Sequence, residues 1–324
     1  MTPQAFSDPD ALAEAIVAKV GKEIVLALPL GLGKANHVAN ALFARASADP
    51  SISLRIFTAL TLEKPRPASD LERRFIAPFI DRLFGGYPDL AYAKALRAGT
   101  LPPNIEVNEF FFLAGRWLNV PAAQQGYISA NYTHALRYIL DRGANVVAQL
   151  VAKHPDGAHY SISCNTDITL DLLAARDGGK TDFLFVGQVN SELPYLGHEA
   201  ELPASAFSHM LESPATDFPL FAPPKEPVSV ADYAVGLHVA RLVPDGGTLQ
   251  IGIGSMGDAV ARGLILRHHD NAAFRKAAAR LNTASLAGFQ MQDAPFDKGL
   301  FGSSEMLVDS FLELIKAGVL KREV

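Results

Sequence analysis

The stretch Pro244–Val260, PDGGTLQIGIGSMGDAV, decides how this chain is read. It runs from a turn through the β-type segment Thr248–Ile253 into a glycine turn and the start of a helix. Glycines between a strand and a helix let backbone N–H groups approach a phosphate, with the helix dipole favouring negative charge. Gly252, Gly254 and Gly257 satisfy the G-x-G-x-x-G spacing of a dinucleotide-binding turn. A dinucleotide site also requires an acidic residue about 20 positions further on, at the tip of a second strand. Asp270 is near that distance but stands in RHHDNAAF, the polar end of a helix, so the specific half of the fingerprint is missing. Glycines so placed also serve a turn that only permits close strand–helix packing.

Outward from this stretch the chain alternates apolar runs with amphipathic segments. A helix over DPDALAEAIVAKV breaks at Gly21 and is followed by the apolar run Ile24–Leu28, the segment PLGLGKANHVANALFARA and a second strand, Ser53–Leu60. Strand, glycine turn, helix and strand at crossover spacing predict a parallel sheet covered by helices. Residues 63–126 read as helices with long loops, and the run Phe110–Phe112 as core. Further strands are expected at Asn145–Val151, Tyr160–Cys164 and Phe183–Val189. The proline-rich segment SPATDFPLFAPPKEPVS, 213–229, reads as a linker between a first domain, 1–212, and a second, 230–324. After it the rhythm restarts with helix Val230–Leu242, strand Thr248–Ile253 and helix Asp258–Arg267. A polar insertion holding a short helix follows, and then a last helix, Met306–Ala317, closed by Gly318. The fold class is therefore α/β, with two open, mostly parallel domains, the second expected to be incomplete.

Composition narrows the function. Hydrophobic residues make up 49% of the 324, enough to bury one large core or two medium ones. Twenty-nine basic against 34 acidic side chains give a formal charge of −5, which argues against a nucleic-acid or anionic-membrane surface. The start MTPQAFSDPD lacks a secretory pattern, and no apolar run reaches the ~20 residues of a membrane helix, so a cytoplasmic protein is expected. Its single cysteine, Cys164, excludes an intrachain disulfide and reads as a small half-buried strand residue. His268 and His269 are adjacent, point different ways on a helix and read as a solvated helix end; no metal site is expected.

In KGLFGSSEMLVDSFLELIKAGVL, residues Leu307, Phe311, Leu314 and Ile315 mark one helix face, with Ser303 or Ser304 as its cap and Glu305 in its first turn. An acid there can simply complete a capping box or favour the dipole. Together, however, TLQIGIGSMGDAV and GSSEMLVDSFLELIKAGVL resemble the acetyl-CoA hydrolase/transferase family, class I CoA-transferases that include 4-hydroxybutyrate and succinyl-CoA:acetate enzymes. LALPLGLGKANHVANALFAR, HPDGAHYSISCNTD and VGQVNSELPYLGHEAELP extend the likeness across the chain.

The resemblance implies that Glu305 is a nucleophile, that Gly252 and Gly254 form the CoA-side turn, and that Asn190 takes the place of the family's asparagine. Serines replace the middle of the family's G-I-H-T-E-M motif. It further implies acyl-CoA and a small carboxylic acid, acetate by default, as substrates, with no tightly bound cofactor. Relatives continue through further α/β units, so the expectation is a shortened or split member that is a homo-oligomer or is completed by a companion chain. Two other readings stand beside it: a non-catalytic homologue that binds acyl-CoA, and a dinucleotide-dependent oxidoreductase using Gly252, Gly254 and Gly257.

Overall fold

The longest apolar runs become the central strands of one sheet because both of their faces are covered. In a computed structural model, which describes residues 2–163, 165–221, 225–281, 288–304 and 306–323, the chain divides into two units, Met1–Phe221 and Ala222–Val324. The first unit contains β1 (Gln4–Phe6), α1 (Pro9–Val20), β2 (Glu23–Leu30), α2 (Asn36–Ala48), β3 (Ser53–Ala59), α3 (Asp70–Phe84), α4 (Ala91–Ala98) and β4 (Ile105–Glu109). It continues with α5 (Pro121–Gln125), α6 (Ala135–Asp141), β5 (Val146–Lys153), β6 (His159–Ser161), α7 (Thr169–Asp177), β7 (Leu184–Val189), β8 (Glu201–Pro203) and β9 (His209–Leu211).

The main path of the sheet runs β1-β9-β7-β5-β2-β3-β4, and every neighbouring pair in it is parallel. Successive residues of β2 show the two-sided burial: Ile24, Leu26 and Leu28 enter one core with α1 and α2, while Val25 and Ala27 enter another with Phe57, Val147 and Phe185. A strand covered on both faces reads as a continuous apolar run rather than an alternation. At the start of α1, Asp8 accepts hydrogen bonds from the Asp10 and Ala11 amides ahead of Pro9, so this helix begins where its cap dictates.

The structure adds strands the pattern did not show. β1, at the sheet edge, and β9, between β1 and β7, are three-residue segments, and β4 lies within the region read as helices and loops. Of the aromatic run, Phe110 and Phe112 pack against the cores but Phe111 is 48% exposed, so it is not uniformly core. Cys164 lies outside the described residues. Within the proline-rich segment, residues 213–221 pack on the first unit: Ser213 caps a short turn, and Phe218 is buried against Tyr87 and Leu150.

The second unit contains α8 (Val230–Ala240), β10 (Thr248–Gln250), α9 (Ser255–His269), α10 (Asn271–Ala278), β11 (Phe301–Ser303) and α11 (Asp309–Lys316). β10 and β11 pair in parallel, with Gln250 opposite Ser303, and Leu300 is bridged in parallel to Leu320 beyond α11. Helices α8 and α9 meet at glycines, since a Cβ on Gly236 would stand 2.4 Å from the Ala259 carbonyl oxygen. The last helix differs from its expected bounds. It starts at Asp309 rather than Met306, with Val308 at its N-cap and no side-chain cap, because Ser303 belongs to β11. Gly318 follows it with φ +67, the left-handed backbone expected at that position. Among the described residues, no helix is long and apolar enough to cross a membrane.

Candidate active site

The glycine turn and the segment around position 305 follow adjacent parallel strands, so both leave the same edge of the second unit's sheet. After β10 the chain passes through Ile251 to Gly252, Ile253 and Gly254, and α9 begins at Ser255 with Gly254 at its N-cap. After β11 it passes through Ser304 toward Met306. The Ser304 hydroxyl donates to the Ile251 carbonyl at 2.9 Å and also to the Met306 carbonyl, which ties the two loops together. Further along, Ser310 at the start of α11 donates to the carboxylate of Asp258 in the first turn of α9. These bonds fix both helix starts around a cavity of about 100 Å³ lined by Gly252–Gly254, Asp258, Met306–Asp309, Lys225 and Glu226. Lys225 forms an ion pair with Asp309 at its mouth, and both side chains are mostly exposed.

The three glycines have different physical reasons. At Gly257 a Cβ would stand 2.6 Å from the Gly252 oxygen and 2.8 Å from Ile251 Cγ2, so its smallness closes the turn. Gly254 has φ +124, a backbone conformation that side chains rarely adopt. At Gly252 neither applies: nothing lies within 4 Å of the position a Cβ would take. Its lack of a side chain leaves bare backbone facing free space. Glu305 itself lies outside the described residues; its chain neighbours Ser304 and Met306 are those just placed.

Asn190 belongs to the first unit, at the carboxyl end of β7. It is fully buried; its amide nitrogen donates to the Phe218 carbonyl at 3.0 Å, and its oxygen accepts from the Glu192 amide at 2.9 Å. The structure thus brings Gly252 and Gly254 together on one cavity and commits Asn190 to holding a turn. The adjacent histidines are also committed: His269 Nε2 lies 2.8 Å from the Ala317 carbonyl, and His268 Nδ1 accepts from the Phe296 amide.

Sequence reasoning passed over a buried charged group in the first unit. Lys34 follows β2 and is wholly buried, and Nζ donates to the carbonyls of Ala59 at 2.5 Å, Leu60 at 3.2 Å and Gly31 at 3.5 Å. Burial brings its pKa down to about 7, against the opposing pull of Glu109 and Asp167. Glu109, at the end of β4, is pushed up by burial; one of its oxygens accepts from the Thr61 amide at 3.0 Å, while the other is buried with no hydrogen-bond partner. With its donors directed at three carbonyls, Lys34 braces the loop ends after β2 and β3. The available signal was a lysine directly after an apolar strand and its glycine turn, LPLGLGK. Lys225 and Glu226 were hidden in the proline-rich segment, where composition suggested only a linker.

Mostly parallel strands covered by helices give the chain an α/β fold, which it shares with solved CoA-transferase structures. No protein-family model matches the chain. It is, however, similar to CoA-transferases. It is 27% identical over 166 residues to a succinyl-CoA:cyclohexane-1-carboxylate CoA transferase of Geobacter metallireducens, a match covering 50% of this chain and 36% of that protein. It is 26% identical over 179 residues to a 4-hydroxybutyrate coenzyme A transferase of Clostridium kluyveri, covering 55% of this chain and 32% of that one. Among solved structures, RipA from Yersinia pestis matches 98% of this chain and 59% of its own at a TM-score of 0.63 and 18% identity. A 4-hydroxybutyrate CoA-transferase from Porphyromonas gingivalis matches 98% of this chain and 58% of its own at a TM-score of 0.52 and 17% identity. The chain therefore spans under two thirds of these structural relatives, and its curated matches cover about a third of theirs.

Proposed function

We propose that this chain moves coenzyme A between small carboxylic acids, with Glu305 as the nucleophile. The observation that carries the reading is the pairing of β10 with β11, which sets the bare glycine turn and the loop flanking position 305 on one cavity. In the reaction a glutamate carboxylate attacks the acyl-CoA carbonyl, giving a mixed anhydride and free CoA thiolate. The thiolate then attacks the glutamyl carbonyl, forming an enzyme–CoA thioester and releasing the first acid. A second carboxylate reverses the sequence and leaves as the new acyl-CoA. Backbone amides at the start of α9 and in the turn supply donors for the oxyanions that develop at each attack.

A cavity of about 100 Å³ is far smaller than the ~300–1,000 Å³ that encloses a whole ligand of drug size. It suits a thioester and a short acyl group, with the rest of CoA lying outside. Short acyl groups such as acetyl are the expected substrates, and an anionic group meeting Lys225 would compete with Asp309 for it. An Asn190 contact with CoA, implied by the family resemblance, would require it to release Phe218 or Glu192.

The test is to incubate the protein with acetyl-CoA, reduce with borohydride and map the modified residue by mass spectrometry. Reduction of Glu305 to the alcohol is expected, and Glu305→Ala should lose it while keeping the parent's circular dichroism and melting point. Binding of acetyl-CoA without modification would instead identify a non-catalytic homologue. Steady release of acetate without an acceptor acid would identify a hydrolase.

A further inference from the structure

The first unit's sheet carries a cavity at its amino edge, opposite the strand ends that lead to Lys34, Glu109 and Asn190. His209 opens β9, Gln4 opens β1 beside it and Leu184 opens β7, and the three strands run in parallel, so these residues share one edge. Lys19 comes from the last turn of α1 and Arg176 from the last turn of α7, and residues 205–208 complete the lining. The cavity holds about 660 Å³, within the ~300–1,000 Å³ of sites that take a whole small molecule.

Charge sets what this cavity can take. Lys19, Arg176 and His209 line it and, among the described residues, no Asp or Glu does, in a chain with 34 acidic against 29 basic side chains. Lys19 enters no ion pair or hydrogen bond among the described residues. Arg176 is held in place: Nη1 donates to the Ala206 carbonyl at 3.1 Å and the guanidinium lies 5.3 Å over Phe183, while Nε meets the exposed Asp177 at 3.3 Å, a pair of the kind worth little. His209 is only 7% exposed and stacks on Phe6 at 5.6 Å, yet its Nδ1 is buried with no hydrogen-bond partner. A buried ring nitrogen without a partner is unfavourable until a bonding group reaches it. Burial and the nearby Lys19 ammonium both lower the pKa of this imidazole, so it stands neutral beside two cations. Two cations with no acid suit a dianion better than a single carboxylate. A phosphate monoester carries about −1.5 to −2 charges at pH 7 and three acceptor oxygens, enough for a guanidinium, an ammonium and an imidazole N–H together. Ala15, Ala18, Leu184 and Phe207 add apolar wall for an organic body.

We propose that this cavity binds a small phosphomonoester with an apolar organic body, its phosphate on Lys19, Arg176 and His209. Binding there does not depend on the chemistry proposed at Glu305. Calorimetric titration of the full chain with naphthyl phosphate should give a submillimolar Kd, with naphthol and naphthoate each about 10-fold weaker or more. Lys19→Gln removes an exposed ammonium that bonds to nothing in its own chain, so it should keep the parent's Tm and weaken naphthyl phosphate by about 10-fold or more. By NMR the ring protons of His209, assigned by their loss in His209→Phe, should shift as naphthyl phosphate is added. No binding at millimolar naphthyl phosphate, equal affinity for naphthoate, an affinity indifferent to Lys19→Gln, or binding that leaves the His209 resonances unmoved would each overturn the proposal.

Discussion

The glycine turn should answer two single-methyl changes in opposite ways. At Gly257 an added Cβ would stand 2.6 Å from a backbone oxygen and 2.8 Å from Cγ2 of Ile251, a residue that is itself buried. Neither neighbour is the free end of a flexible side chain, so the turn must distort. Overpacking of this kind costs about 1–3 kcal/mol. For a unit of this size each kcal/mol lowers Tm by about 4–8 °C. Gly257→Ala should therefore lower the melting point of the second unit by at least several degrees. At Gly252 a Cβ meets nothing within 4 Å, and the backbone is not left-handed, so Gly252→Ala should stay within about 0.5 kcal/mol of the parent. Its methyl would instead enter the cavity of about 100 Å³ where the thioester is proposed to sit. One methyl-sized misfit in a pocket is worth about 1–3 kcal/mol, or roughly 10- to 200-fold in affinity. Thermal unfolding followed by circular dichroism, with hydrogen exchange to report the second unit, gives the first quantity. Calorimetric titration with acetyl-CoA gives the second. Equal losses of stability from the two changes would refute the packing argument, and unaltered acetyl-CoA binding by Gly252→Ala would refute the ligand-wall argument.

Two further changes probe the buried cations. Lys34→Met removes the donor to three loop carbonyls and should cost about 1–3 kcal/mol near neutral pH by denaturant unfolding. The lysine's pKa of about 7 in the folded chain is below its ordinary 10.5, so between those values the unfolded state binds the additional proton and stability rises with pH. The parent should gain up to about 1 kcal/mol per pH unit in that window and the variant should lack this gain, so the cost of the change grows with pH; parallel profiles would refute it. Arg267→Met, in the second unit, removes donors to Ala240, Val243 and Ala294 at 2.6–2.8 Å and the guanidinium stacked 4.2 Å over Phe296. Loss of about 2–4 kcal/mol is expected, with hydrogen-exchange protection falling at the end of α8; a change below 1 kcal/mol would show that its burial cost offsets its bonds.

How far the sequence carried the fold depended on what covered each strand. β2, β5 and β7 are buried on both faces, and two-sided burial requires a long apolar run, which pattern reading finds at once. β1, β9 and β11 have only three residues each and are recruited by neighbours already in place, so no local pattern distinguishes them from loop. That matters most at β11. A helix capped by Ser303 or Ser304 puts position 305 in its first turn, where an acid is explained by a capping box or by the dipole. With Ser303 in a strand paired to Gln250, Ser304 leaves a strand end at the carboxyl edge of a parallel sheet, where α/β folds assemble their sites. That strand pairing joins residues more than 50 positions apart, and no local pattern reports it. Lys34 and Asn190 lie at the other limit, since their residue types were plain in the sequence but Lys34 reaches the Ala59 carbonyl 25 positions away and Asn190 the Phe218 carbonyl 28 positions away. Spacing along the chain reports which residues share a face; it does not report which carbonyl a buried amine will meet, and at both positions that partner decides between a ligand contact and a brace.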